Sequence, residues 1–359
     1  MEERGIRILT YLSRFEGTDP FEFLSYVKAG GKRVPVFKVL YTNYCERNCL
    51  YCANRRDRNV KRYSFTPECL AKTFYELYRK NLVQGIFISS GIHHNAKRTM
   101  EKMLDTAHIL REKFNYRGFI HLKLLPGIDS LSIEEAVRIA DRVSINLEAP
   151  SKDKLQKIAH EKDFEKELFL PLEQAHRIRT KIGKRTGLCT QFVVGASGEN
   201  DRDIIEKSFL LTRTLRLQRV YYSAFYPVPN TPLEGHPKAS EKRELRLYQA
   251  FYLMKNYGVK PQEFLLDSGG YLKENVDPKE GIFLKRYGGN PVEINTAPLE
   301  KLTLIPGIGP ETAKRIYEMR KVKRIKTPDE LVKIGVKRKA LKYLLLDGRF
   351  YETKIFLFP

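Results

Sequence analysis

Between residues 34 and 226 the chain alternates six short apolar stretches with longer amphipathic ones, and no other feature limits its fold as much. The stretches 34–44, 85–90, 119–125, 142–148, 188–195 and 219–226 read as strands. Between them, Thr66-Pro67-Glu68 starts a helix running to Asn81, with Thr as N-cap and Pro at the first helical position. A second helix covers 97–114, and a third opens on a Ser132…Glu135 capping box. Helical pattern over 151–182 is expected to break at Pro171, and a last helix covers 201–216. Strict alternation of this kind predicts a parallel sheet with helices outside. Six units fall short of a closed eight-strand barrel, so the expected fold is a partial (βα)6 TIM-type α/β barrel. Ligands in such folds gather at the C-terminal strand ends, where Cys45, Ser89, Lys123, Glu148 and Gly195 fall.

The alternation stops near 227. Pro227, Pro229, Pro232 and Pro237 make a loop, one more helix is predicted over 240–257, and the Gly- and Pro-rich stretch 268–290 reads as a boundary loop. Beyond it the pattern is compact and helical. The predicted organisation is an N-terminal extension 1–33, a barrel domain 34–287 and an all-α domain 288–359.

Three of only five cysteines lie within eight residues, as Cys45-x3-Cys49-x2-Cys52 after the first strand. Scattered even-numbered cysteines would suit a secreted disulfide framework; this clustering suits a reducing, cytoplasmic setting and a metal centre. Three thiolates on one loop can hold an iron–sulfur cube with one iron left open. Zinc is the alternative, with His93 or His94 as fourth ligand. Cys69 and Cys189 read as small core residues.

With Tyr51 before the last cysteine, and the motif placed after the first strand of a βα series, residues 34–230 resemble the radical S-adenosylmethionine (SAM) superfamily. The resemblance implies that Cys45, Cys49 and Cys52 hold a [4Fe–4S] cluster whose fourth iron chelates SAM, and that reductive cleavage yields a 5′-deoxyadenosyl radical. It also implies SAM contacts. Ser89-Ser90-Gly91 occupies the place of the family's Gly-Gly-Glu element, without the acid. Lys123 is placed to meet the SAM carboxylate, Asn146 and Glu148 the ribose hydroxyls. Gly195-Ala-Ser-Gly198 resembles the turn that passes adenine. Cys189 and Tyr222 are candidates for radical transfer, and two spare cysteines cannot hold a second cluster on three thiolates.

Composition adds a partner. With 65 Lys+Arg against 43 Asp+Glu, the net charge of +22 calls for a polyanion, nucleic acid or an acidic membrane surface. No apolar run approaches the roughly 20 residues of a membrane span, and the first fifteen residues carry no signal-peptide core. Residues 295–320 favour nucleic acid, with protein–protein docking by the helical pairs as the alternative: Leu-Ile-Pro-Gly307-Ile308-Gly309-Pro310 between two helical patterns closely resembles the helix-hairpin-helix DNA-binding motif. Its glycines leave backbone N–H groups unshielded, and the second helix adds its positive end, an arrangement that grips phosphate without reading bases. Lys314 and Arg315 are placed to reach neighbouring phosphates. Residues 327–339, with Gly335 alone, read as a degenerate second copy. Between 312 and 342, twelve Lys/Arg stand against three acids.

Together the two modules resemble the DNA modification/repair radical SAM proteins. The expected protein is an enzyme directing a SAM-derived radical at DNA, with an electron donor for its cluster and no membrane. RNA as substrate, and a non-catalytic DNA-binding protein with a structural metal, are the alternatives.

Overall fold

The computed structural model describes residues 25–29 and 32–350, with side chains from Val34; most of the predicted N-terminal extension lies outside the described residues. The chain divides into two compact units, Met1–Glu244 and Leu245–Pro359. The expected boundary at 287/288 thus falls within the second unit.

The first unit is built on a seven-stranded sheet in simple sequential order: β1 (Ser25–Ala29), β2 (Lys32–Leu40), β3 (Gly85–Ser89), β4 (Phe119–Lys123), β5 (Arg142–Ser144), β6 (Gly187–Val194) and β7 (Arg219–Ala224). Strands β2 to β7 pair in parallel, Val39 opposite Ile88, Ile88 opposite Leu122 and Leu122 opposite Val143. They form the curled half-barrel expected from the alternation. The strand β1 is an addition: it pairs antiparallel with β2 through Val27 opposite Val34.

Helices α1 (Pro67–Arg79), α2 (Ala96–His108), α3 (Ser130–Ile139), α4 (Lys152–Ala159), α5 (Leu170–Lys181) and α6 (Asp201–Thr214) connect the strands. One set of strand residues, including Ile86, Ile88, Ile120, Leu122, Val143, Leu188 and Val220, is wholly buried beneath them. The alternate set points inside. There Lys38, His121 and Ser144 are all nearly inaccessible, and His121 Nε2 meets Ser144 Oγ at 2.8 Å. Burial, with Arg142, Lys38 and Lys123 nearby, holds the His121 imidazole neutral.

Three local expectations are corrected. The third helix starts three residues early, because Asp129 rather than Ser132 is the N-cap, its side chain accepting the N–H of Ser132. Helical structure over 151–182 is interrupted at 160–163 rather than at Pro171. That proline occupies the first turn of α5, following the π-turn Phe164–Phe169, where its missing N–H costs nothing. The supposed boundary loop 268–290 contains helix α8 (Pro278–Tyr287), capped by Asp277 and closed by Gly288 at φ +62°.

The division between the units lies in the first turn of α7 (Glu241–Tyr257). After α8 the second unit carries α9 (Leu299–Leu304), α10 (Pro310–Val322), α11 (Pro328–Lys333) and a 3₁₀ turn Arg338–Tyr343. Their shared core includes Phe283, Ile294, Leu302, Ile308, Ile316, Leu331 and Ala340. The region beyond 288 is not purely helical: β8 (Val292–Glu293), β9 (Leu344–Leu346) and β10 (Arg349–Phe350) form a small sheet. Its strands are two or three residues long, too short to show a period in the sequence.

Candidate cofactor site and helical hairpins

A cavity of about 830 Å³ opens at the C-terminal ends of the parallel strands. Cys45, Cys49, Tyr51 and Cys52 form one wall, on the loop after β2. That loop is held by backbone bonds, from Glu46 N–H to Ile92 O (2.8 Å) and from Leu50 N–H to Ile158 O (2.8 Å). Arg62 does more. Its guanidinium donates to the carbonyls of Asn43, Asn54, Arg55 and Arg58, so one side chain organises the turns on both sides of the cysteines. Arg47 ties the loop to Glu161 O and to the Glu167 carboxylate.

Burial pushes the Cys52 thiol up to about 12 and raises Cys49 as well. Iron must therefore displace protons on binding, and the buried Lys162 ammonium, which opposes both shifts, favours the thiolates. Among the described residues no three or more His, Cys, Asp or Glu side chains converge as they would around one metal ion. His93 and His94, the supposed zinc ligands, stack on each other at 4.1 Å, and His93 stacks on Tyr44 at 4.4 Å. Cys45, Cys49 and Cys52 share one cavity wall, a three-thiolate donor set of the kind that holds a cube.

The structure brings Ser90, Gly91, Lys123, Asn146 and Glu148 onto the same cavity. Ser90 Oγ is buried with no hydrogen-bond partner, an orphan that a bound group would satisfy. Gly91 is required sterically: a Cβ there would sit 2.0 Å from Tyr44 O. Two predicted contacts lie elsewhere. Ser89 is buried beneath the floor, and Gly195 (φ +90°) is not on the lining; it packs on Ala239 and gives its N–H to Glu199. Tyr222 points away, its hydroxyl donating to Ser208 Oγ at 3.0 Å. Cys189 is fully buried and does not reach the lining.

Sequence reasoning missed Lys162. Its Nζ lies 3.0 Å from Glu148 Oε1, and both side chains are less than a tenth exposed. Glu148 itself is held at φ +62°, bridged to Phe192 on β6, and also meets the Tyr51 hydroxyl. Tyr51 and Glu148 thus link the cysteine loop to the end of β5. A lone lysine between two helical patterns carries no sequence signal of burial. The other missed residues, Gln191, Ser223, Tyr226, Lys238, Glu241 and Glu244, line the side served by β6, β7 and α7.

In the second unit Gly307 (φ +90°) makes the turn between α9 and α10. Gly309 is the N-cap of α10, and no side chain caps that end. Among the described residues the N–H groups of Gly307, Gly309, Glu311 and Thr312 have no acceptor, whereas that of Ile308 goes to Ile305 O and its side chain to the core. Lys314 is exposed; Arg315 donates to Ile334 O at 3.3 Å. The second hairpin differs: α11 is closed by the Thr327–Glu330 capping box, and Gly335 O accepts from Thr312 Oγ. Lys279, on the helix that the sequence hid, donates to Ile308 O; burial lowers it to about 8, with Lys337 and Lys339 close by.

The Radical SAM superfamily pattern matches residues 39–208, and a helix-hairpin-helix motif matches 288–343. An uncharacterized protein of Methanocaldococcus jannaschii is 21% identical over 80% of this chain and 77% of its own length. The biotin synthase of Persephonella marina is 24% identical over 63% of each chain. This chain therefore spans less than two thirds of that enzyme. Among solved structures, methylornithine synthase is 16% identical with a TM-score of 0.50, covering 70% of this chain and 67% of its own. The FeFe-hydrogenase maturase HydG from Carboxydothermus hydrogenoformans is 13% identical, also at 0.50, over 61% and 51%. At these identities the structural likeness is one of fold. A radical SAM domain, the mark of an enzyme of [4Fe–4S] cluster and SAM chemistry, and a helix-hairpin-helix motif thus share this chain.

Proposed function

We propose that the enzyme acts on DNA, in modification or repair. The carrying observation is the uncapped N-terminus of α10 behind Gly307 and Gly309, four N–H groups without acceptors, in a chain that also holds a cysteine-lined cavity. An anion at that end satisfies the N–H groups and meets the positive helix terminus; Lys314 adds a charge within reach. The turn at Gly335 leads only into the short 3₁₀ turn Arg338–Tyr343 and not into a full α-helix with its macrodipole, so the first hairpin is the one assigned to phosphate.

In the first unit the cluster and SAM, when bound, supply reductive cleavage of the S–C5′ bond. Cys45, Cys49 and Cys52 hold the cluster. Ser90, Gly91, Lys123, Asn146 and Glu148 receive SAM, with Tyr51 fixing Glu148 from the cysteine side. Lys123 offers a cation to a carboxylate, and Glu148 offers acceptors to hydroxyls. A base atom of duplex DNA must leave the stack to reach this cavity.

The test is electron paramagnetic resonance of the anaerobically reconstituted, reduced protein, followed by SAM cleavage with and without duplex DNA. The expected result is a cluster signal altered by SAM and 5′-deoxyadenosine formation stimulated by DNA. Stimulation by RNA alone would move the substrate to RNA. Stoichiometric zinc without a cluster would overturn the catalytic reading.

A further inference from the structure

The cluster and SAM assignment proposed above leaves the β6, β7 and α7 side of the cavity wall without a role. Gln191 on β6, Ser223 near the end of β7, and Glu244 on α7 face the cavity from the far side of the sheet, β6 and β7 being four and five strands from β2, which carries the cysteine loop. Both side chains line the cavity, and among the described residues neither the Gln191 amide nor the Ser223 hydroxyl has a hydrogen-bond partner. Glu244 is fixed rather than free: one carboxylate oxygen accepts the Ala224 N–H at 2.7 Å, which leaves the other to an occupant. Burial, followed by the nearby Glu241, raises Glu244 above the usual carboxylate range, so its ionised form gains from a hydrogen-bond donor. Glu241 is already paired with Lys238 at 3.0 Å. At the same wall Tyr226 is 60% exposed, with Lys238 Nζ 4.9 Å from its ring.

We infer that Gln191, Ser223 and Glu244 form a recognition face for one nucleobase bearing an exocyclic amine, with Tyr226 as its stacking surface. This rests on the nucleic-acid reading above and narrows it. The amide offers both donor and acceptor, the hydroxyl does the same, and the carboxylate accepts only. That set matches the edge of adenine, cytosine or guanine, each with an amine to give. Thymine presents a carbonyl where cytosine has its amine, and that oxygen would face the carboxylate without a proton between them. An exposed aromatic ring beside a cation is a stacking platform for a planar heterocycle. A substrate carrying a full positive charge is served less well, because Lys238 holds a cation at the same wall.

The test uses the full-length, SAM-loaded protein and the four deoxynucleosides as probes, with binding read by saturation-transfer difference NMR and with the amino acids as competitors. At least one amine-bearing nucleoside should bind about five- to tenfold more tightly than thymidine, the worth of one good hydrogen bond. Glu244→Gln keeps an acceptor for Ala224 and should abolish that preference, and Tyr226→Leu should weaken all nucleosides alike. In both variants the SAM-induced change in the cluster's paramagnetic signal should persist. Equal binding of thymidine, an unchanged preference in Glu244→Gln, or binding of amino acids with no nucleoside would each overturn the inference. Duplex affinity retained while nucleosides fail would sink this recognition face alone. Nucleoside selectivity without duplex affinity would sink the DNA reading and leave the face standing.

Discussion

Single residues decide how much charge the cavity tolerates. Glu148 and Lys162 are both buried, so each is stable there only because the other is present. Lys162→Met should cost about 3–5 kcal/mol by leaving a carboxylate uncompensated, and Glu148→Gln a similar amount by stranding the ammonium. The double variant should be more stable than either single one. Urea unfolding of the four proteins measures this, and losses that simply add would show that the pair is not coupled. The pair also marks a boundary of sequence reading. Glu148 was visible as a strand-end acid, because position along a βα unit is encoded locally. Lys162, fourteen residues on, was not, because its ammonium reaches Glu148 only once α4 and the turn that follows it are folded back against the end of β5. Arg62 is a parallel case: an ordinary arginine in the sequence becomes the donor to four carbonyls around the cysteines.

Elements are held together by similarly specific contacts. His108, at the end of α2, bridges Glu112 on the following π-turn (2.9 Å) and Glu135 on α3 (2.7 Å). Burial alone would lower its pKa, but the hydrogen bonds to Glu112 and Glu135 outweigh burial and raise it. Because the folded value lies above the unfolded one, the charged imidazole stabilises the α2–α3 contact fully below about pH 6.5. That contribution is lost as pH rises through the raised value. The group is partly exposed, so solvent screening keeps the effect below about 1 kcal/mol. Thermal midpoints from pH 5 to 8 should fall more in the wild type than in Glu135→Gln; equal slopes would remove the bridge from the account. At this scale the strands and most helices were legible, since Thr66, Asn95, Ser151 and Asn200 cap helices through contacts within three residues. The misplaced start at Asp129 and the supposed break at Pro171 share one cause. Two residues three apart can both look like caps, and a proline fits either a helix start or a helix end until its neighbours are placed.

On the scale of the whole molecule, an excess of 22 positive charges and an open helix end predict binding governed by phosphate. Duplex affinity of the full chain should fall steeply and log-linearly with salt, and Lys314→Ala should reduce the slope by roughly one. A flat response, or an unchanged slope, would place the phosphate contacts elsewhere. The same contrast of duplex DNA with RNA of one sequence reads the substrate preference, since the two helices differ in groove shape. By itself the sequence determined the half-barrel, the three cysteines and the Gly307–Gly309 hairpin. Each is written in short-range spacing: a strand period, three thiols on one loop, two glycines before a helix start. Only the tertiary structure decided which strand-end residues reach the cavity, that Lys162 neutralises Glu148, that Gly195 is spent on packing, and that Gln191, Ser223 and Glu244 share a wall. Those contacts are made only when the elements pack against one another, and local chemistry along a chain does not specify them.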